Sequence, residues 1–238
     1  MWGKTVKPNA GGERMTMERS GIGSTLDRLV VLFVEPDSIY KRMGLDCYDA
    51  ARDARTWPGG CPVVAHPPCR TWGSLKAFAK SAPADEHALG PWAVEQVRRW
   101  GGVLEHPRSS TLFRECGCPP PDGLPDEWGG WTLDIDQFHW GHKAKKATRL
   151  YIVGTRVIPP IPRREGQPTH NLSRLSRTKE NRQNKGPHLP ELSRKARAAT
   201  PPDFARWLVD VARICKHNSV LDRSHPPTAT ERLTKNNP

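Results

Sequence analysis

The chain reads as an α/β protein: a single Rossmann-like open sheet with helices on both faces, a disordered amino end and a basic carboxyl-terminal arm. Three observations lead there. Short continuous apolar runs at 29–34, 63–65, 103–104 and 150–154 have strand length and no polar alternation, as strands covered on both faces do. A stretch at 85–100 alternates with them and places Ala88, Leu89, Trp92, Ala93, Val97 and Trp100 on one helical stripe. A length of 238 residues suits one good-sized domain with irregular ends better than two.

Taken in order, residues 1–28 mix Gly, Ser, Thr, Lys, Arg and Glu without periodicity and read as disordered. The first strand, Leu29 to Val34, ends at Glu35-Pro36-Asp37-Ser38, where Asp37 or Ser38 caps a short helix through Tyr40 and Arg42 that Gly44 stops. Asp46 to Asp49 reads as a small second strand, and Pro58-Gly59-Gly60 turns the chain after the polar turn 52–55. Val63-Val64-Ala65 then runs into His66-Pro67-Pro68-Cys69. Two prolines can neither continue a ladder nor enter a helix interior, so the backbone leaves the sheet there and carries Cys69 to its carboxyl edge. Open α/β sheets bind their ligands at that edge. Arg70 to Leu75 is a polar and aromatic loop placed to close over a ligand.

The helix at 85–100 contains Pro91, a point of kinking or restart, and Gly101-Gly102 ends it. Val103-Leu104 forms the next strand, exiting at Glu105-His106-Pro107, and Ser109 or Ser110 caps a short helix through Phe113 and Glu115. A Cys/Pro/Gly/Asp-rich loop fills 116–130, Trp131 to Phe138 alternates as a strand, 141–148 is a basic loop, and Leu150 to Gly154 closes the domain, which spans 29–154. Residues 155–200 read as a basic linker or arm. Pro201-Pro202 opens a helix over 201–216 that docks back through Phe204, Trp207, Leu208, Val211 and Ile214, and 217–238 read as a disordered tail.

The charge is unevenly spread. Of the net +12, residues 1–154 contribute 20 basic and 18 acidic groups, and 155–238 contribute 17 and 7. A basic arm beside a neutral domain favours a polyanion, most simply nucleic acid, with a solubilising, disordered tail as the alternative. The start, Met1-Trp2-Gly3-Lys4, has no apolar signal core and no run is long enough to span a membrane, so the chain reads as cytoplasmic with reduced thiols. No obligate protein partner is evident. The six cysteines, Cys47, Cys61, Cys69, Cys116, Cys118 and Cys215, match no usual zinc spacing, and no metal is expected.

Three strand ends carry polar chemistry: Pro67-Pro68-Cys69, Glu105 after an apolar strand, and Thr148-Arg149 before Leu150-Tyr151-Ile152-Val153-Gly154. Their order resembles that of the cytosine-5 DNA methyltransferases over about residues 29–154. The resemblance implies Cys69 as nucleophile, Glu105 as acid and Arg149 as the residue holding the base, with S-adenosylmethionine as cofactor and DNA as partner. A thiolate adding at C6 of a cytosine makes C5 nucleophilic, and protonation or strong hydrogen bonding at N3 makes C6 electrophilic enough to be attacked. Such a base must leave the double helix. Arg70, Lys143, Lys145 and Lys146 are the candidate phosphate contacts, and Glu35, Asp37, Asp53 and Pro68 the candidate cofactor contacts. His66 and His106 are candidate supporting donors, and Trp57, Trp72, Trp128, Trp131 and Trp140 candidate stacking surfaces.

The departures define the alternatives. The family's first strand leads into a glycine-rich loop, whereas here Glu35-Pro36-Asp37-Ser38 follows. His106-Pro107 stand where Asn-Val is usual, and Lys145 and Ala147 replace a Gln and an Arg. A non-catalytic DNA-binding or decoy protein and a base-modifying transferase with another donor therefore stand beside methyl transfer. A zinc deaminase needs a His-x-Glu and a second Cys that the chain lacks near Cys69.

Overall fold

A computed structural model describes residues 28–73, 82–172 and 189–216. The expectations of disorder for 1–27 and 217–238, and the loop beyond Gly73, fall outside them. Six strands form one mixed sheet: β1 (Val30–Leu32), β2 (Asp46–Tyr48), β3 (Val63–Ala65), β4 (Gly102–Pro107), β5 (Trp131–Asp136) and β6 (Ala147–Val153). Their order is β2-β1-β3-β4-β6-β5. The first four are mutually parallel, and β6 runs antiparallel to both β4 and β5. Because β1 connects to β2 on one side and β3 lies on its other side, the crevice at the carboxyl ends of β1 and β3 is a topological switch point, the usual ligand position in such sheets.

The apolar runs alternate between two cores. Val31, Val64, Val103, Leu150 and Ile152 face one side, and Leu32, Ala65, Leu104, Tyr151 and Val153 the other. Both faces are covered, which is why the runs show no polar alternation. Helices α1 (Ile39–Arg42) and α5 (Pro202–Ile214) cover the first face, and α2 (Glu86–Trp100) and α3 (Leu112–Glu115) the second. Ser38 caps α1 by accepting from the Tyr40 amide. In α5, Pro202 supplies the preset φ of the first turn, and Phe204, Leu208 and Val211 are fully buried, each such side chain contributing roughly 1.5–3 kcal/mol. Ile214, expected on that face, is instead largely exposed.

α2 is one continuous helix across Pro91. It buries Gly90, Ala93, Val94 and Val97 while Ala88 is exposed, and the Trp72 indole and Leu112 both pack directly on Gly90. At the start of β4, Gly102 has φ +119, and a Cβ there would lie 2.0 Å from the Val63 carbonyl oxygen. Only glycine lets β3 and β4 pair at that point.

Two boundaries differ from the sequence expectation. Strand β4 continues to Pro107 and β6 starts at Ala147, so Glu105 and Arg149 lie within paired strands rather than at their exits. The described part of 155–200 is not a free linker. The Trp131 indole donates to Thr155 O, the Thr169 and His170 amides donate to Lys143 O, and Asn171 bridges to Glu191 ahead of a short helix, α4 (Arg194–Ala198).

Candidate functional site

The His66 amide still pairs with Leu32 O, extending the ladder by one residue before Pro67 and Pro68 end it. The Cys69 carbonyl then accepts from the amides of Trp72 and Gly73, closing a tight turn. Cys69 is the only exposed cysteine of the six and stands at the rim of the switch-point crevice. The wall of protein behind its thiol pushes the pKa up. The negative charge of Glu105 adds to that shift and the charge of Lys146 opposes it.

Glu105 is the hub of a hydrogen-bonded chain that crosses the site on the α5 face of the sheet. Its Oε2 meets His66 Nδ1 at 3.0 Å, and its Oε1 accepts from Gln137 Nε2 at 3.0 Å. The same Gln137 amide donates to Thr148 Oγ1 at 3.0 Å, and His66 Nε2 meets the Tyr40 hydroxyl at 2.9 Å. Five elements contribute: α1, the β3 exit, β4, the turn 137–140 and β6. Either protonation state of His66 satisfies both of its contacts. A neutral ring donates from Nδ1 to Glu105 and accepts from Tyr40 at Nε2, and an imidazolium donates at both nitrogens.

Burial is the largest single influence on the Glu105 carboxyl and by itself would raise it. The His66 hydrogen bond and the charges of His66 and Lys146 together outweigh burial and hold the pKa at about 2. Burial pushes Lys146 down, against the pull of Glu105 and Cys69. The Lys146 ammonium donates to the carbonyls of Ala199 at 3.2 Å and Ala198 at 3.5 Å, just past the end of α4. Gln137 Oε1 is buried without a hydrogen-bond partner beside the carboxylate. Glu105 and Lys146 thus each act electrostatically on the Cys69 thiol and on one another, with His66 in direct contact with the carboxylate.

The structure does not bring Arg149 to this group. Its guanidinium forks onto Asp134 at 2.7 and 3.0 Å and lies over Phe113, against which the ring of its strand partner His106 packs edge-on. Glu105, one residue from His106, faces the opposite side, where its partner is Leu150 and its neighbour Thr148. The cation on the Glu105 side is Lys146. His106 is buried on the α2 face, and that burial lowers its pKa to about 4, leaving the ring neutral.

The other sequence candidates divide. Lys143 and Lys145 are exposed on the loop before β6, whereas Arg70 is held by a two-pronged bond to buried Glu86. Pro68 borders Cys69. Glu35 is exposed, Asp37 pairs with Lys195 at 2.6 Å, and Asp53 caps the turn 54–56 while binding Arg55. Trp72, a stacking candidate, is buried against His87 with ring centroids 3.8 Å apart. Tyr40 and Gln137 went unrecognised in the sequence because one reads as a helix residue and the other as the end of a strand. The contacts that define them span 26 and 32 residues.

The loop after β1 does not fit S-adenosylmethionine in the manner the resemblance implies. Phe33, with φ +64, occupies the left-handed region where a glycine is the unstrained choice, and its ring packs edge-on against Trp92. Pro36 has no amide to offer, and the nearby Asp49 is occupied by Lys41 and by the amides of Ala51 and Arg52. Among the described residues no group of three or more His, Cys, Asp or Glu is arranged to hold a metal ion. No protein-family model matches this chain, and no curated protein matches it.

Proposed function

We propose that the chain is a base-modifying protein that resembles the cytosine-5 DNA methyltransferases, attacking a pyrimidine in DNA through Cys69. The observation that carries this reading is the coupling of an exposed thiol, a buried carboxylate and a lysine at the switch point of an α/β sheet. In the reaction, the Cys69 thiolate forms a bond to C6 of an extruded pyrimidine, and a proton reaches N3 from the Glu105–His66 pair. Glu105 is itself ionised at neutral pH, so the proton it hands on reaches it through His66, whose Nδ1 contacts it directly. Lys146 supplies the positive charge that favours the thiolate, the part the resemblance implied for Arg149. The adduct leaves C5 nucleophilic toward an electrophile.

Donor identity is separable from this addition. Without a donor, C5 takes a proton from water. Loss of the original C5 hydrogen and expulsion of the thiolate then restore the base, so the net change is hydrogen exchange at C5. Duplex DNA carrying tritium at cytosine C5 tests the reading. Release of tritium to water by the wild-type protein and its loss in Cys69→Ser are expected, and release undiminished in Cys69→Ser would refute the nucleophile. Labelled S-adenosylmethionine in a parallel assay asks whether methyl transfer follows.

A second reading, a DNA-binding protein on this sheet without chemistry, is favoured by the Phe33 conformation and by a thiol whose pKa is raised. It predicts firm DNA binding with no tritium release at any pH.

A further inference from the structure

The arm that reads as a trailing basic linker returns to the rim of the Cys69 site. Three connections seat α4 there. The Lys146 ammonium takes the carbonyls of Ala198 and Ala199 at its carboxyl end. The Ala196 backbone lies against the His142 ring. Lys195 reaches Asp37 on the loop after β1 at 2.6 Å. Upstream, Leu192 is buried, its amide donates to Asn171 O, and Ser193 caps the helix by accepting from the Ala196 amide. α4 therefore spans from the loop after β1 to the loop before β6, across the carboxyl edge that holds Cys69 and Glu105.

This placement puts two basic segments side by side. Residues 141–146 and 189–200 together carry Lys143, Lys145, Lys146, Arg194, Lys195 and Arg197 against one acid, Glu191. Lys143, Lys145, Arg194 and Lys195 are exposed, and Arg197 is half-buried. Lys195 and Asp37 form a solvent-facing pair, with side chains 83% and 61% exposed, of the kind that exchanges readily for another anion. Only Lys146 is drawn inward, linking the ridge to the charges at Cys69.

We propose that α4 and the loop 141–146 form one ridge that binds the phosphate backbone of the nucleic acid flanking the base presented to Cys69. The nature of the ligand rests on the reading of the site given above. Arg194 and Arg197 on α4, with Lys143 and Lys145 on the loop, make the phosphate contacts, and Lys146 keeps the helix seated. Extruding a base costs a few kcal/mol of stacking and pairing, and phosphate contacts beside the site offset that cost where it arises.

The test is the salt dependence of binding to a fluorescein-labelled, mixed-sequence DNA duplex, read by anisotropy. Each phosphate contact adds about 0.9 to the slope of log affinity against log salt. Arg194→Gln with Arg197→Gln, and separately Lys143→Gln with Lys145→Gln, should each lower that slope by about 1.8. Arg206→Gln with Arg213→Gln removes the same charge from the exposed side of α5, where each arginine pairs with its own aspartate, and should leave the slope unchanged. An unaltered slope in the α4 variant, or an equal fall in the α5 control, would overturn the ridge. Tritium release is measured on the same preparations. A slope that falls as expected in a protein that releases no tritium sinks the chemistry and keeps the ridge, and the converse sinks the ridge alone.

Discussion

Glu105 ties the candidate site to stability, and the pH dependence of unfolding measures that tie. Its carboxyl is held at about 2 against an ordinary 4.5. At ~1.4 kcal/mol for each tenfold step, this corresponds to about 3 kcal/mol of preference for the ionised form in the folded protein. With the Glu105 side chain only 12% exposed, solvent screening removes little of it. Because the folded value lies below the unfolded one, the contribution is complete above pH 4.5 and is lost as pH falls toward 2, with about 2 kcal/mol gone by pH 3. Glu105→Gln removes this titration. Urea unfolding followed by fluorescence of the nine tryptophans should show wild type losing about 2 kcal/mol more than Glu105→Gln between pH 7 and pH 3. Asp49, also held at about 2 by its bonds to Lys41 and Arg52, titrates in both proteins and cancels. Parallel curves for the two proteins would show that the carboxylate is not held by His66 and its neighbours, and the proton route from His66 would fall with it.

Other perturbations read other parts of the argument. Alkylation of Cys69 by iodoacetamide should show a pH midpoint above the ordinary thiol value of 9.0, moving higher still in Lys146→Met, and a midpoint below 9.0 would refute the placement of Glu105 and Lys146 around the thiol. Arg149→Lys breaks the fork to Asp134 on the far face and should cost about 1 kcal/mol in stability while leaving tritium release intact, and loss of release would return Arg149 to the site. Phe204→Ala, at a fully buried position between Trp140 and Trp207, should lower unfolding free energy by about 3–5 kcal/mol, and a loss under 1 kcal/mol would contradict the docking of α5.

Local signals in the sequence carried the strands and the long helices. Val30 to Leu32 and Val63 to Ala65 are apolar throughout, the double proline forces an exit, and Pro202 opens α5. The same signals hid the two faces of the sheet. Where both sides are covered, as along Leu150 to Val153, alternation vanishes and nothing local says which residue points where. Register then decides. Pairing of Glu105 with Leu150, and of His106 with Arg149, sends the acid to the α5 face and the arginine to the α2 face. A shift of one residue would have joined them. Motif order therefore points to Cys69 and Glu105, which the fold brings to one side of the sheet, and to Arg149, which it turns to the other. The cation acting on the first two is Lys146, whose contact with Ala198 spans 52 residues and leaves no local signal.

That exchange of cations bears on what the site is able to do. Arg149, forked onto Asp134, is a fixed charge with its donors committed, suited to holding a strand pair together. Lys146 is a compact point charge whose pKa burial lowers and whose hydrogen-bond partners among the described residues are two helix-end carbonyls rather than a carboxylate. Its charge is therefore not cancelled by a counter-ion in contact, and it acts on both Cys69 and Glu105. The helix that holds it is the one whose outer side is basic, so an anion drawn to α4 changes the field at the thiol through Lys146 without touching Cys69. If the ridge binds phosphate, seating the DNA and setting the thiol's reactivity become one event. The alkylation midpoint of Cys69 should then move when duplex is added to wild type, and should not move in Arg194→Gln with Arg197→Gln.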